Sequence, residues 1–426
     1  MHIIQPPLIN FDEYLKLDHS DRLVLVLDTL NAEKLLRILE DKHWVGRKGY
    51  SVRGMWSALI AGVVYRYLSI ADLVRQLNMN PGLRFICGFP AVDHVPSEDA
   101  FSRFLSRLVE NEDELEWCFQ DLVRRFKEIA VDFGKKVVAD STDVRAYSNG
   151  HRKVKSDPDA QWGAKRGKGG GGRDSAQVKE KGGKNKDLYW WFGYKIHLLI
   201  DAIYELPISF ELTPANETDT KQLKALLEKA EENCPGIKIE NVIADAGYDS
   251  KDNCQTVFTE YEAIPVIPLN LGNEKEPPGV CNSQGTPLCP CGVEMVYWGK
   301  DGNYLKYRCP EAVNKSKCPS RFKCTSSAYG YVLKLPIAQD YRRYSGLPRE
   351  TKKWKRLYRL RTAVERVNSR LKEILIANEL RVRGKGKVLV RTVLNLLVMM
   401  AVGVSMAEGK KLNQVRCLLR TAGCYS

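Results

Sequence analysis

Two aspartates follow short apolar runs that have the character of β-strands. Asp140 ends the run Val137-Val-Ala-Asp, and Asp245 ends the run Val242-Ile-Ala-Asp. Carboxylates at the carboxyl ends of neighbouring strands converge at one edge of an α/β sheet. Carboxylate oxygens are the ligands that Mg²⁺ prefers, and paired Mg²⁺ ions catalyse phosphoryl transfer. A single aspartate at a strand end is usually an ordinary polar terminus, but the pair indicates metal-dependent phosphoryl chemistry.

A third acid, Glu365, lies in a basic segment that has the spacing of a helix. Tyr358, Arg361, Glu365 and Lys372 are separated by 3, 4 and 7 residues, which places them on one helical stripe. Residues 342–387 hold 16 Lys and Arg against 4 Asp and Glu. A solvated surface helix does not explain so dense a positive charge, whereas a DNA backbone supplies the counter-charge. We therefore expect Glu365 to complete the acidic set beside bound DNA.

The pattern along the chain predicts helices first and an α/β core later. The N-terminal part contains a capped helix after a Pro-Gly break, with Ser97 as the N-cap, which is compatible with a helix-turn-helix or with a helical packing module. A glycine- and lysine-rich loop is expected between about residues 145 and 187. The elements that position the acids are strands near 135–144, 193–201, 206–212 and 237–244, and helices at 218–233 and 352–378.

Composition restricts the class of protein. The chain has 426 residues, a net charge of +14 and 44% hydrophobic residues, which is typical of a multidomain globular protein with a polyanionic partner. The first residues do not resemble a secretory signal, so we expect a cytoplasmic protein associated with the nucleoid. The apolar stretch 388–407 contains Arg391 and Asn395, which favours a buried helix over a membrane span.

Cysteines are concentrated in residues 270–330, which hold six of the twelve. Without a signal peptide they argue for a reducing compartment and against a disulfide framework. Four thiolates bind structural Zn²⁺ tetrahedrally, and the candidate ligands are Cys289, Cys291, Cys309 and Cys318. The alternative is a reduced, loosely packed insertion, because the C-x-C spacing differs from paired C-x-x-C motifs.

Other polar and aromatic residues are weaker candidates. Asp143 and Asp249 lie close to the two strand-end acids, and either is a possible group for orienting a ligand or a basic residue. Lys195 and His197 alternate on one strand and face the same side, where they are candidates for DNA contact or for structural roles. Two adjacent tryptophans, 190 and 191, are candidates for stacking on a base, although burial is commoner for such a pair.

The motifs together resemble a known family, the prokaryotic insertion-sequence DDE transposases. The Tyr-Arg-Glu-Lys signature is complete at Tyr358, Arg361, Glu365 and Lys372. Val138-Ala-Asp-Ser-Thr and Ala244-Asp-Ala-Gly-Tyr-Asp resemble the motifs around the family's first and second aspartates, and further matches lie at Lys195, His197, Asp201, Asn216 and Asp219. Residues 45–110 resemble the N-terminal helical domain that often accompanies this core.

The resemblance implies a fold and a set of roles. It implies an α/β protein with an RNase-H-like mixed-sheet catalytic core, in which Asp140, Asp245 and Glu365 hold two Mg²⁺ ions. Tyr358, Arg361 and Lys372 would bind transposon-end DNA. The expected organisation is a helical N-terminal domain for DNA binding or dimerisation (1–130), a core in two parts (131–270 and 331–426) and a Cys-rich insertion (271–330).

The expected function is cleavage and strand transfer of the protein's own insertion element. Transposon-end DNA and target DNA are the expected partners, and a homodimer is expected because two ends must be held together. The alternatives are an RNase-H-like nuclease that cuts without joining, a DNA-binding protein or repressor derived from a transposase, and a basic RNA-binding protein. An intact acidic triad argues against a decayed enzyme, since loss of one ligand usually ends catalysis.

Overall fold

The N-terminal part of the chain is helical. The computed structural model describes residues 22–41, 49–90, 94–166, 188–270, 281–282, 284–318, 324–378 and 380–418. Ser97 accepts a hydrogen bond from the amide of Ala100 at 3.2 Å, and two acids follow it, so the predicted helix cap is confirmed. The helices before the first strand are α1 (Arg22–Thr29), α2 (Glu33–Asp41), α3 (Val52–Val64), α4 (Ile70–Met79), α5 (Pro81–Ile86), α6 (Glu98–Val109) and α7 (Glu112–Ile129).

The last long helix, α12 (Lys385–Glu408), lies at the centre of the protein. It packs against α1, α3, α6 and α7, and Arg391 and Asn395 on it are buried. It is the one helix of the described chain that is long and apolar enough to cross a membrane, and 94% of its most apolar stretch is buried inside the protein. Helices and sheet share one continuous hydrophobic core, so the boundary predicted near residue 130 marks a change of secondary structure without a change of core.

A mixed sheet carries the acids, as the sequence predicts. Its strands are β1 (Lys136–Arg145), β2 (Gln161–Arg166), β3 (Leu188–Asp201), β4 (Pro207–Pro214), β5 (Asn241–Ile243) and β6 (Ile264–Val266). The main order is β4-β3-β1-β5-β6. The strands β1, β3 and β4 are antiparallel, whereas β5 and β6 run parallel to β1. Two helices, α8 (Gln222–Asn233) and α9 (Lys251–Thr259), follow β4 and β5 respectively.

Strand β2 lies inside the segment for which the sequence predicts a loop. It pairs antiparallel with the first residues of β3, next to the end of β1. Gly193 allows the strands to meet, because a Cβ at this position would lie 2.1 Å from the carbonyl oxygen of Val144. The loop prediction is therefore wrong for residues 161–166, while the glycine- and lysine-rich residues 167–187 lie outside the described residues.

A second, three-stranded sheet occupies the Cys-rich part of the chain. Its strands β7 (Val296–Asp301), β8 (Tyr304–Arg308) and β9 (Val332–Pro336) are antiparallel. One face packs on a small separate cluster that includes Met295, Leu305 and Tyr307. The sheet continues to residue 336 because β9 pairs with β8, so the predicted insertion boundary at 330 falls before its last strand.

The basic segment is helical but not one regular helix. It begins with α10 (Lys352–Tyr358), tightens to a 3₁₀ turn at Arg359–Arg361, continues as α11 (Thr362–Ser369) and widens to a π-helical turn at Arg370–Ile374. Single π turns are rare and often occur at functional sites. The π turn shifts the phase of Lys372 relative to Glu365, which the regular spacing of the sequence does not predict.

Candidate active site

Asp140 and Asp245 lie side by side on neighbouring parallel strands. Val138 of β1 pairs with Ile243 of β5; Asp140 lies two residues further along β1, and Asp245 lies two residues beyond the end of β5. Asp245 also caps a short 3₁₀ turn, because its Oδ1 accepts a hydrogen bond from the amide of Gly247 at 2.8 Å. Strand β1 itself continues to residue 145, so Asp140 lies where the parallel pairing ends and not where the strand ends.

The environment of Asp140 opposes its negative charge. Burial raises the pKa of Asp140 to about 6, and the nearby charge of Asp245 adds to this shift. Arg361 and Lys165 act in the opposite direction, but more weakly. Two carboxylates that repel each other in a partly buried pocket are stabilised by a divalent cation, which neutralises both.

We call the site around Asp140 and Asp245 the acidic pocket, and Glu365 lies at its rim. Its Oε1 accepts a hydrogen bond from Arg361 Nη1 at 2.5 Å, and 46% of its side chain is exposed. Asn368, one turn further on α11, donates from Nδ2 to Asp140 Oδ2 at 3.2 Å. The helix therefore contacts Asp140 directly through Asn368, a residue that the sequence analysis missed although it lies three positions from Glu365 on the same face.

The side chains as they lie do not form a closed metal cage. Among the described residues, no group of three or more His, Cys, Asp or Glu is placed to hold a metal ion. For the acids, Asp140 and Asp245 are adjacent while Glu365 is turned to Arg361. For the cysteines, the predicted zinc ligands Cys289, Cys291, Cys309 and Cys318 do not form a metal-binding group in the described part of the chain, so the structure gives the zinc site no support.

The two rival acids bind cations of the protein. Asp143 Oδ1 lies 2.8 Å from Lys372 Nζ, and this pairing outweighs burial, so the pKa of Asp143 is lowered. The side chain of Asp249 is fully buried and accepts a hydrogen bond from Arg342 Nε at 2.7 Å. Both acids thus orient basic side chains, which leaves Asp140 and Asp245 as the pair at the parallel edge. Lys372, expected on DNA, is anchored within the same pocket.

Lys195 and His197 form a buried network around Asp219. Lys195 Nζ donates to Asp219 Oδ1 at 3.0 Å and to the carbonyl of Glu217 at 2.8 Å. The ring of His197 is fully buried beside Thr213, and burial lowers its pKa to about 4, so it is neutral at pH 7. A fully buried ring has no atom at the surface, so direct DNA contact by His197 is not supported; both residues support the Asp219 turn.

The aromatic residues near the pocket have separate environments. Tyr358 is half-buried, stacks on Trp354 at 4.9 Å, and has its pKa raised by burial, against the charge of Arg361. Tyr248, next to the Asp245 turn, is fully buried, and its hydroxyl has no hydrogen-bond partner among the described residues. Trp191 is buried and donates to the carbonyl of Tyr194, whereas Trp190 is 54% exposed.

Asp140→Asn is expected to stabilise the metal-free protein above pH 6. The folded-state pKa of about 6 exceeds the unfolded value, so wild type loses stability as pH rises from about 4 through 6. The amide side chain of the variant carries no charge at any pH, so the variant does not undergo this loss of stability. Urea denaturation in EDTA should therefore show the variant gaining about 2 kcal/mol relative to wild type between pH 4 and pH 7.5.

Asp143→Asn is the matched control, and its expected change in stability has the opposite sign. The pKa of Asp143 is lowered in the folded state, so its ionised form stabilises the protein above pH 4 and this contribution is lost as pH falls. Asp143→Asn should be less stable than wild type at pH 7.5, and the difference should shrink at pH 4. If both variants change stability with the same sign, the opposite pKa shifts of Asp140 and Asp143 are not the cause.

Two family models match the chain. A family model described as Transposase DDE domain matches residues 132–401, and one described as Transposase domain (DUF772) matches residues 10–107. Among solved structures, the chain is similar to a piggyBac transposase in a synaptic complex with hairpin DNA, at 12% identity and a TM-score of 0.36, covering 95% of this chain and 78% of that chain. No curated protein matches the sequence.

Proposed function

The chain belongs to the DDE transposases, since the family model spans residues 132–401, and from this premise we propose that it cleaves and joins the DNA of its own insertion element with Asp140, Asp245 and Glu365 as the ligands of two Mg²⁺ ions. Members of this family are nucleases and strand transferases, and generally depend on a divalent metal. The proposal concerns which residues carry that activity here and in which order they act.

The observation that carries the proposal is the register of Asp140 and Asp245. Their strands are parallel neighbours, and burial together with Asp245 raises the pKa of Asp140. Asn368 reaches Asp140 from the helix that bears Glu365. Oxygen donors with unfavourable mutual repulsion fit a hard divalent cation. When bound, two Mg²⁺ ions would activate the attacking hydroxyl and stabilise the leaving 3′-oxygen.

The protein's own groups prepare this site. Asn368 holds one oxygen of Asp140, and the Gly247 amide holds one oxygen of Asp245, which fixes the direction of both carboxylates. Arg361 holds Glu365 at the rim through an ion pair in which Nη1 lies 2.5 Å from Oε1. A DNA phosphate that binds Arg361 would release Glu365 to turn toward Asp140. DNA binding and completion of the triad are thus coupled in this proposal.

The strand order supports an RNase-H-like core. Three antiparallel strands, β1, β3 and β4, are followed by β5 and β6, which run parallel to β1 on its other side. The first acid lies on the central strand and the second follows the neighbouring strand. The third comes from a helix late in the chain, which packs on β1.

DNA is the proposed partner of the exposed face of α10. Its basic side chains point to solvent, and in the part of the chain that the structure describes none of them is ion-paired; they are Lys352, Lys353, Lys355, Arg356 and, just beyond the helix, Arg359. Such a surface supplies positive charge that would neutralise phosphates of a duplex. Tyr358 and Arg361 continue it to the acids. Because transposition holds two element ends together, we also propose that the active form is a homodimer.

The experiment that tests the proposal uses a labelled duplex carrying the end of the element in which the gene lies. The protein is incubated with it in Mg²⁺, in Ca²⁺ and in EDTA, with a target plasmid present. We expect cleavage at the element end and joined products in Mg²⁺ only. Light scattering of the protein–DNA complex should give two protein copies.

Each rival has its own outcome in this experiment. Cleavage without joined products indicates a nuclease. Specific binding without cleavage in any metal indicates a DNA-binding protein or repressor. Equal binding to RNA and DNA without cleavage indicates a general basic RNA-binding protein. Any of these three results overturns the proposed transposition activity.

A further inference from the structure

Lys165 lies in strand β2, at the edge of the acidic pocket. Its Nζ donates to the carbonyl of Ser141, the residue after Asp140, at 3.1 Å. It lies 3.9 Å from Asp143 Oδ1 and 5.6 Å from the centre of the Trp191 ring. About a third of the side chain, 35%, is exposed. Backbone, carboxylate and ring thus hold one cation at the pocket while leaving part of it open.

Lys165 shares its carboxylate with a second lysine. Lys372, from the π turn, lies closer to Asp143, at 2.8 Å. Asp143 therefore has a hydrogen-bonded partner already, and the longer distance to Lys165 is beyond hydrogen-bond range. One carboxylate between two lysines leaves a net positive charge beside Asp140. Neutralising Asp143 alone does not explain why Lys165 is held there.

The position of Lys165 is fixed by the pairing of β2. Lys165 pairs with Tyr189 of β3, and the Tyr189 hydroxyl lies 3.5 Å from Asp143 Oδ2. Strand β2 thus brings a basic residue beside Ser141 and Asp143 of β1. The charge of Lys165 also acts on Asp140.

We propose that Lys165, with Lys372, binds a DNA phosphate adjacent to the one that is cleaved. This inference rests on the proposed function and adds a phosphate-binding residue outside the Tyr-Arg-Glu-Lys signature. An ammonium group partly desolvated against a ring and a backbone carbonyl gives a directed contact to a phosphate oxygen. Asp143 holds both lysines in place before DNA arrives.

The test compares Lys165→Gln and Lys165→Arg with Lys229→Gln. Lys229 is matched in exposure, 32%, and in pairing with one carboxylate, Glu211 at 2.6 Å, but it lies on α8 away from the acids. Binding of the labelled end duplex is measured in Ca²⁺ between 50 and 200 mM salt. Each lost phosphate contact lowers the slope of log K against log salt by about 0.9.

The expected result is a changed salt dependence for one variant only. Over this fourfold salt range the affinity of wild type should fall about threefold more than that of Lys165→Gln. Lys165→Arg and Lys229→Gln should keep the wild-type slope. An unchanged slope for Lys165→Gln overturns the proposal. Because the slope is measured without cleavage, this failure is distinct from an inactive wild type, which would overturn the proposed function instead.

A second measurement needs no folded variant. Wild-type protein is acetylated with and without the end duplex, and modified lysines are quantified by mass spectrometry. DNA should reduce acetylation at Lys165 at least severalfold and leave Lys229 unchanged. Equal modification of Lys165 with and without DNA overturns the proposal, whatever the fate of Lys165→Gln.

Discussion

Glu365→Gln is expected to bind the element end as wild type does and to cleave it at least about 10³-fold more slowly. Glutamine keeps the size of the side chain and its place on α11 but removes the charge that a divalent cation requires. In the wild-type protein Arg361 pairs with Glu365 at 2.5 Å. Loss of the negative charge frees Arg361 to contact a phosphate, so DNA binding should not weaken. Single-turnover cleavage in Mg²⁺ and binding in Ca²⁺ measure the two effects separately.

Glu373→Gln is the matched control for this prediction. Glu373 lies in the same helical segment, is exposed, and undergoes the same change of charge. It should cleave at close to the wild-type rate. Equal cleavage by Glu365→Gln and Glu373→Gln would show that Glu365 is not a metal ligand. The proposal would then need another third acid near Asp140 and Asp245.

The proposed order, in which DNA binds before Glu365 turns toward Asp140, depends on Arg361. If Arg361 holds Glu365 until a phosphate displaces it, both residues belong to one switch. The Arg361 side chain is 21% exposed, so a phosphate can reach it without unfolding the helix. Glu365 therefore has a defined resting position in the structure, and the open arrangement of the triad follows from charge pairing within a single turn of helix.

The sequence predicts the central pair of acids because local signals and topology agree there. Each aspartate follows an apolar run, and the runs become neighbouring parallel strands. Strand β2 is not predictable in the same way. Its six residues pair with the start of β3, more than twenty residues later, and such pairing depends on tertiary contacts. Lys165 was missed for this reason.

The alternation of Lys195 and His197 predicts that they share a face, and both contact the Asp219 turn. It does not predict that the face is covered, because that depends on where the polypeptide after β4 packs. The zinc prediction depended on spacing alone, and spacing does not determine whether thiols converge in space. Patterns within one element are thus predictive, whereas relations between elements require the structure.

The support of the Glu365 helix involves another residue that no motif indicates. Glu205, in the turn between β3 and β4, is 3% exposed and contacts three arginines. Its Oε1 lies 2.7 Å from Arg366 Nη2, and its Oε2 lies 3.1 Å from Arg370 Nη2. Both arginines belong to the helical segment of Glu365, so one buried carboxylate ties that segment to the central sheet.

Glu205→Ala is expected to destabilise the protein by about 3 kcal/mol. Removing one partner of a buried ion pair leaves an uncompensated charge, here on Arg370, whose side chain is 11% exposed. Arg366 and Arg416 are about half exposed, and solvent screens their share. Urea denaturation at pH 7.5 measures the loss. Glu33→Ala is the control, because Glu33 also pairs with two arginines but on an exposed surface, where such pairs contribute little.

Glu205→Gly separates the ion pairs from backbone strain at the same position. Glu205 has a φ of 55°, in the left-handed region where a residue with a Cβ is disfavoured by about 1 kcal/mol or more. Glycine loses the ion pairs but relieves this strain, so it should be more stable than alanine by about that amount. If Glu205→Ala loses no more stability than Glu33→Ala, the ion pairs of Glu205 do not hold the Glu365 helix on the central sheet. In that case the position of Glu365 depends on apolar packing of α11 against β1 alone, and loss of Glu205 should leave cleavage unchanged.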